Sequence, residues 1–164
     1  MRSDAGTITQ AANATISAAA NATFTATANG QGSAAADIVL ANANNDFQAA
    51  VAVDGANVSV TSAGALTLDG VRATQALNVV AAGNVAMDDV QSDSMNVNTG
   101  GGNLVLGQTQ VQQQTTLNTG GGNVSQTGVV SLLGSTDITT GTGAITLNNA
   151  ANQFGGSLAL VGGN

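Results

Sequence analysis

Glycines recur through most of this chain every nineteen to twenty-one residues, and a short segment of alternating apolar residues follows them. A fixed period of this size is the sequence signature of a solenoid, in which each repeat forms one coil that stacks on its neighbours. We predict a turn at each of the first five glycines, and turns with positive φ within the Thr-Gly-Gly-Gly runs 99–102 and 119–122. The periodic positions are Gly64, Gly83, Gly102, Gly122, Gly143 and Gly163.

Apolar side chains occur at fixed distances from these glycines. The residues two and four places after each of the first five glycines are apolar in nine of ten cases. Alternate residues of a strand face the same way, so these pairs and the apolar residues that precede the glycines are predicted to point into one core. The residues predicted to form this core are Val58, Val60, Leu66, Leu68, Leu77, Val79, Val85, Met87, Leu104, Leu106, Leu117, Val124, Ile145 and Leu147.

Two further columns are expected when coils stack in register about 4.8 Å apart. The residue after the glycine is Asn84, Asn103 and Asn123 in three successive coils. This pattern predicts an asparagine ladder that hydrogen-bonds along the axis and caps the turn. A second inward position is predicted seven places after each glycine. Its members are Val71, Val90, Thr109, Val129 and Ala150.

Composition favours strands over helices. The 164 residues, the size of one domain, contain 22 glycines and no proline, cysteine or histidine. Asn, Thr, Ser and Gly fill the polar positions, a mixture that favours strands joined by tight turns. We therefore predict an all-β fold, a parallel β-helix (β-solenoid) with about 20 residues per coil. About eight such coils form a rod roughly 40 Å long.

A second, longer period overlies the first. The segment 6–10 recurs 116 places later at 122–126, whereas later residues recur after 107 places, so the first copy holds about nine extra residues within 11–36. The matched positions of the two phenylalanines in these copies favour a core or corner plug over a ligand platform. The set Ile38, Leu40, Asn45, Phe47, Val51 and Val53 returns as Ile145, Leu147, Asn152, Phe154, Leu158 and Leu160.

These echoes divide the chain into three parts. Residues 1–5 are expected to be an added or disordered start, 6–121 the first super-repeat, and 122–164 a second, truncated super-repeat that continues the same solenoid. The insertion within 11–36 permits two interpretations. Its alanine content suits a helix, but the alternation over 22–27 favours a strand, which is our prediction. The segment 30–33 is then expected to form a loop that projects from one coil.

Three runs, Gly143 to Leu160, Asn45 to Val53 and Ala65 to Gly70, resemble the repeats of very large bacterial exoproteins of the filamentous-haemagglutinin type. The resemblance extends over nearly the whole chain and is weakest over 11–36. It implies a right-handed parallel β-helix that is secreted across the outer membrane and is extracellular or displayed at the bacterial cell surface. It also implies a shaft that serves adhesion, biofilm formation or contact-dependent competition and carries no catalytic residues.

The charge of the chain limits its partners. The formal net charge is −7, from two arginines and nine aspartates, so a phosphate backbone or an anionic membrane surface finds almost no basic residues to bind. No apolar run approaches the eighteen residues of a membrane span. We expect no nucleic acid and no membrane partner. The expected partners are neighbouring repeats of the same polypeptide, a second copy that associates head to tail, and a host or bacterial surface glycan.

Few residues offer catalytic chemistry. Aspartate is the only acid–base side chain, and Arg72 is the only internal basic residue, so we expect no enzyme activity and no cofactor. Asp69 and Asp88 lie five places after their glycines and are predicted to stack outward on adjacent coils, about 5 Å apart. A surface cation would relieve their mutual repulsion. A solvated acidic face that keeps the rod soluble is the preferred interpretation.

The sequence thus predicts a structural role. The chain is expected to be a rigid shaft of a secreted or cell-surface bacterial adhesin that projects a binding region away from the cell. One alternative is a binding module whose outer face binds carbohydrate. Another is a fibre-forming segment, because the end of a solenoid presents unpaired strand edges.

Overall fold

The computed structural model describes residues 1–28 and 35–163, and the regular elements in them are all β-strands. Within these residues there is no helix long and apolar enough to cross a bilayer. The strands are β1 (Arg2–Ser3), β2 (Ile8–Thr9), β3 (Ser17–Ala18), β4 (Ala22–Ala26), β5 (Ile38–Leu40), β6 (Asp46–Phe47), β7 (Ala50–Gly55), β8 (Val58–Ser62), β9 (Leu66–Ala81), β10 (Val85–Asn98), β11 (Leu104–Leu106), β12 (Thr109–Val111), β13 (Thr115–Asn118), β14 (Val124–Gln126), β15 (Val130–Leu132), β16 (Thr136–Thr139), β17 (Gln153–Phe154) and β18 (Leu158–Val161).

Strands of successive coils stack into three parallel ladders, and β3 and β6 form a separate parallel pair. Ladder 1 contains 66–68, 85–87, 104–106 and 124–126. Ladder 2 contains 2–3, 24–26, 53–55, 71–73, 90–92, 109–111, 130–132 and 153–154. Ladder 3 contains 8–9, 38–40, 58–62, 77–81, 95–98, 115–118, 136–139 and 158–161. These eight parallel strands correspond to about eight coils of roughly 20 residues, so the predicted β-solenoid is confirmed.

The core is a continuous column of apolar side chains inside the three ladders. Twelve of the fourteen residues predicted for it are at most 2% exposed. The other two, Ile145 and Leu147, are only partly buried and pack against the same column. They belong to the last coil, where Ile145 bridges Val124 and no further described strand lies on its outer side.

The second inward position follows the prediction in three coils and departs from it in two. In the coils from 71 to 109 the predicted residue is buried and paired in ladder 2. In the next coil Val129 is 39% exposed, and Val130 is buried in its place. The turn before Val130 is one residue longer than the equivalent turn in the coil before it, which moves the inward position along the chain. Ala150 is also exposed, so the prediction was wrong at both residues.

The 107-residue echo is not a whole number of coils. Ile38 pairs with Val58 in ladder 3, whereas its counterpart Ile145 bridges Val124 in ladder 1. Ladder 3 adds five further strands after that of Ile38 before the chain reaches Ile145. The shift therefore amounts to five coils and one ladder. The second super-repeat has the same internal order as the first but begins one ladder further round the coil.

The described part of the insertion in the first super-repeat contains strands and no helix. β3 and β4 lie within it, and Phe24 of β4 is buried in the core. The loop predicted at 30–33 lies outside the described residues. Of the expected added or disordered start, Arg2 and Ser3 form β1, which pairs in parallel with Thr25 and Ala26 of β4.

Four of the five predicted turn glycines are confined by the backbone of the preceding coil. A Cβ atom on Gly122 would lie 2.1 Å from the carbonyl oxygen of Gly102, and one on Gly143 would lie 2.1 Å from that of Gly122. Gly83 and Gly102 are confined in the same way, with nearest backbone atoms at 2.9 and 2.3 Å. Gly64 differs, because nothing lies within 4 Å of its Cβ position. Close approach between coils therefore requires glycine at four positions of this column.

We predict that Gly122→Ala lowers the free energy of unfolding by about 2 kcal/mol or more, because the new methyl group has to push two coil backbones apart. Gly64→Ala is the matched control in the same column. It is expected to leave stability unchanged or to raise it by up to about 1 kcal/mol, through the unfolded state. Urea unfolding followed by far-ultraviolet circular dichroism measures both. Equal stability of the two variants would contradict the stacking described here.

Candidate functional site: polar corners of the stack

Buried threonines close the corner between ladder 3 and ladder 1. Thr99, Thr119 and Thr140 are fully buried, and each hydroxyl donates a hydrogen bond to the carbonyl oxygen of the glycine three residues later. Gly100 and Gly120, which follow the first two, have φ of 59° and 62°. Glycine adopts this left-handed conformation without the steric cost that a Cβ atom brings. The turns predicted at 99–102 and 119–122 thus have positive φ, and the threonine hydroxyls close them from inside.

Asparagine side chains link successive coils beside this corner. The backbone N–H of Asn103 donates to Asn84 Oδ1, that of Asn123 to Asn103 Oδ1, and that of Ala144 to Asn123 Oδ1, each at 2.8 Å. The expected ladder therefore runs along the axis. Its bonds join a side chain to the backbone of the next coil, so each one satisfies an N–H group just before a strand of ladder 1 begins.

A pair of amide side chains, here called the first clasp, joins the half-buried Gln10 to the buried Asn45. Gln10 Nε2 donates to Asn45 Oδ1 at 2.6 Å, and Asn45 Nδ2 donates back to Gln10 Oε1 at 3.0 Å. Asn45 is completely buried, and it also accepts from the backbone N–H of Ile16 and donates to the carbonyl of Leu40. Each of its polar atoms has a partner, as a buried amide requires. The clasp fixes one coil upon the next at a corner where the strands stop pairing.

The second super-repeat contains the same arrangement, the second clasp, between Gln126 and Asn152. Gln126 Nε2 donates to Asn152 Oδ1 at 2.9 Å, Asn152 Nδ2 donates to Gln126 Oε1 at 2.7 Å, and the backbone N–H of Val130 donates to Asn152 Oδ1 at 3.0 Å. The partners are 26 residues apart here and 35 apart in the first clasp, a difference equal to the predicted insertion. The two clasps thus occupy the same place in each super-repeat, at different corners of the coil.

Sequence reasoning did not identify the clasps. Both members of each pair lie in the repeated segments, so the signal was the joint return of one glutamine and one asparagine in the two copies. The two phenylalanines also return at matched positions of the two super-repeats, but their exposure differs. Phe47 is 3% exposed in the core, whereas Phe154, paired opposite Leu132 in the last coil, is 37% exposed. The first of them therefore fills the position expected of a plug.

The acidic residues lie on the outer surface. Asp69 and Asp88 are exposed and stand opposite each other in the paired strands β9 and β10, as the sequence predicts. Asp88 Oδ1 accepts hydrogen bonds from the backbone N–H groups of Asp89 and Gln108, so this carboxylate caps a turn. Arg72 donates to both carboxylate oxygens of Asp89 at 2.9 Å and to the Asp89 carbonyl. Asp89 has φ of 49°, and its ion pair stabilises that turn.

These side chains do not assemble into a reactive site. In the described residues no group of three or more acidic side chains gathers where a metal ion could bind. Arg72 and Asp89 are each about half-exposed, and a pair of this kind contributes at most about 1 kcal/mol to stability. The cation suggested at Asp69 and Asp88 and the expected lack of enzyme activity stay predictions. The arrangement of polar groups instead serves the contacts between coils.

Comparison with known proteins agrees with the repeat architecture. A family described as repeats of unknown function (DUF5649) matches residues 2–54 and 92–161, and the chain belongs to this family. The two matches end at residues that are 107 places apart, the same shift that separates the two super-repeats. No curated protein and no solved structure matches the chain.

We predict that Asn45→Ala lowers the free energy of unfolding by about 2–3 kcal/mol, because Gln10, the N–H of Ile16 and the carbonyl of Leu40 lose a buried partner. Asn44→Ala is the control, since Asn44 is exposed and its side chain makes no hydrogen bond in the described residues. Chemical unfolding measures both variants. In a double-mutant cycle Gln10→Ala and Asn45→Ala should be strongly coupled, and additive effects would contradict the clasp.

Proposed function

We propose that this chain is the structural shaft of a secreted or cell-surface bacterial exoprotein, a rigid spacer that holds a binding region away from the cell. One observation carries the proposal: hydrogen bonding and apolar packing continue along the axis through about eight coils without a break. Each coil is ordered by its two neighbours, so bending the rod has to disturb several coils together. A continuous stack of this kind resists bending better than a chain of separate domains joined by linkers.

The setting outside the cell is supported by the resemblance of the repeats to those of filamentous-haemagglutinin-type exoproteins. The composition agrees, because the chain has no cysteine or histidine and its outer polar positions are filled by Asn, Thr, Ser and Asp. Such a surface stays hydrated and offers few reactive groups. Antibodies raised against the purified chain should label intact cells of the source bacterium, and labelling only after lysis would exclude surface display.

Stiffness is tested by measuring a distance along the rod. Thr61 and Thr139 face outward in one column of ladder 3, four coils apart. The chain has no native cysteine, so Thr61→Cys and Thr139→Cys introduce two unique sites for spin labels. Pulsed electron paramagnetic resonance should give a narrow distribution centred near 19 Å, before correction for the label linkers. The same sample in denaturant is the control, and an equally broad distribution in both conditions would contradict a rigid spacer.

A second candidate function is end-to-end assembly, and the last coil favours it. Leu158 and Leu160 are 43% and 50% exposed, although their counterparts Val51 and Val53 are buried beneath the following coil. The occupant that fits this surface is another coil of the same type. In the 164-residue chain we assign it to the first coil of a second copy, which presents strand edges at β1 and β2. Such a contact is heterologous and extends into filaments.

We expect the chain to form larger species as its concentration rises, and Leu160→Asn to weaken this association. Val161→Asn is the control, because Val161 pairs opposite the exposed residue Thr139 and is also exposed. Sedimentation velocity over a hundredfold concentration range distinguishes the two variants. A monomer at every concentration would exclude assembly and leave the proposed spacer function untouched.

A further inference from the structure

One corner of the solenoid is a residue shorter than the corners around it. Between ladders 2 and 3 the chain takes four steps from Ala73 to Leu77, but only three from Ser92 to Met95. The next coil again takes four steps, from 111 to 115. The pairing shifts by one residue at Ser92 and Ser94 to absorb the difference. A corner of the same short length occurs two coils earlier, from Gly55 to Val58, and the corner at Asp93 lies between two four-step corners.

A depression in the surface lies beside this short corner. Its volume is about 320 Å³, and its polar lining comes from three coils. A second, smaller depression of about 160 Å³ lies on the other side of the same corner, where Ser94 and Asn96 line it. The larger depression is here called the notch, and its lining includes Arg72, Thr74, Gln91, Asp93, Gln110 and Gln112.

The notch carries hydrogen-bonding groups that the fold leaves free. Gln91 and Gln110 stand opposite each other on adjacent coils, and with Gln112 their side-chain amides make no hydrogen bond within the described residues. The Asp93 carboxylate has no ion-pair or hydrogen-bond partner there either. Ser92, at the inward position between Ala73 and Val111, turns its hydroxyl toward the core, so that hydroxyl is not one of the free groups of the notch.

We infer that the notch binds a neutral sugar unit of a glycan. Sugar hydroxyls both donate and accept hydrogen bonds, and primary amides do the same, while the Asp93 carboxylate accepts from two hydroxyls. Arg72 already forms an ion pair with Asp89, so the free charge in the notch is that of Asp93. An acidic sugar is repelled by this carboxylate and by the net charge of −7. The volume suits one small ligand at the lower end of the usual range.

We expect weak binding at the notch, because the chain lacks the aromatic residues on which a sugar ring usually packs. The chain has no tryptophan or tyrosine, so a sugar ring finds hydrogen bonds but no aromatic face. We expect a dissociation constant on the order of 1 mM for a single sugar unit. Successive coils repeat outward polar residues at about 4.8 Å along the axis, a spacing close to the rise of an extended glycan. A linear trisaccharide is therefore expected to bind more tightly than the monosaccharide.

The test is a titration of the ¹⁵N-labelled chain with named probes: glucose, galactose, N-acetylglucosamine, the β-1,4-linked trimers of glucose and N-acetylglucosamine, galacturonate, and glycerol. At least one neutral sugar should cause saturable shifts of the backbone amides within 72–74, 91–94 and 110–112. Galacturonate and glycerol should cause none that saturate. If no neutral sugar saturates these signals, or if glycerol reproduces the shifts, the inference is wrong.

Variants then locate the site. Asp93→Asn and Gln110→Ala are each expected to weaken binding about tenfold, since each loses one or two ligand hydrogen bonds. Gln153→Ala is the matched control, because Gln153 is exposed in the same outward column of ladder 2 but lies outside the notch. If Gln153→Ala weakens binding as much as Gln110→Ala does, the sugar binds elsewhere and the inference fails.

A single inserted residue gives the sharpest variant. A glycine placed between Asp93 and Ser94 restores the four-step corner of the neighbouring coils and fills the depression with backbone. Binding should be lost while the circular dichroism spectrum and the melting temperature stay close to those of the parent chain. Retained binding in a folded insertion variant would overturn the inference, and the two point variants decide the matter if the insertion does not fold. None of these outcomes depends on whether the shaft is secreted.

Discussion

The structure depends on one contact, the stacking of coil backbone upon coil backbone at about 4.8 Å. In the ladders this contact is made by parallel hydrogen bonds, and at the corner of Gly83, Gly102, Gly122 and Gly143 it is made by backbones that leave no room for a Cβ atom. The apolar core follows from it, because only a close stack brings the inward side chains of successive coils into a continuous column. A wider spacing at any one corner would open the ladders on both sides of it.

The corners set the main difficulty for such a stack. Strand pairing satisfies the backbone inside the ladders, but the chain leaves that pairing at each turn, and buried N–H and C=O groups have to find other partners. The chain meets this need with short neutral side chains: threonine hydroxyls from inside, asparagine amides along the axis, and the two glutamine–asparagine clasps. Charged groups are kept outside, where Asp88 caps a turn and Asp89 pairs with Arg72. This division explains a composition rich in Asn, Thr and Gly and poor in charge.

The sequence predicted those features that depend on spacing alone. The period places the strands and most of the inward residues, because each coil repeats the geometry of the last. Its errors lie where a coil gains or loses one residue, as at Val129, because the extra turn residue moves the inward position of the next strand from 129 to 130. The short corner at Asp93 was not predicted, because it too differs from its neighbours by a single residue. The clasps were not predicted because their two side chains are far apart in the sequence and meet only in the folded chain. Turn lengths vary along this sequence, so the sequence alone does not show which corner has gained a residue and which has lost one.

The displacement of the second super-repeat by one ladder has a geometric consequence for any tandem array of such units. Each unit repeats the same surface features, but it presents them a third of a turn away from the unit before. Three units are needed before a feature returns to its original direction, so it winds around the shaft as a slow spiral. A shaft built in this way exposes every outward motif on all sides, and no orientation toward a neighbouring surface is privileged.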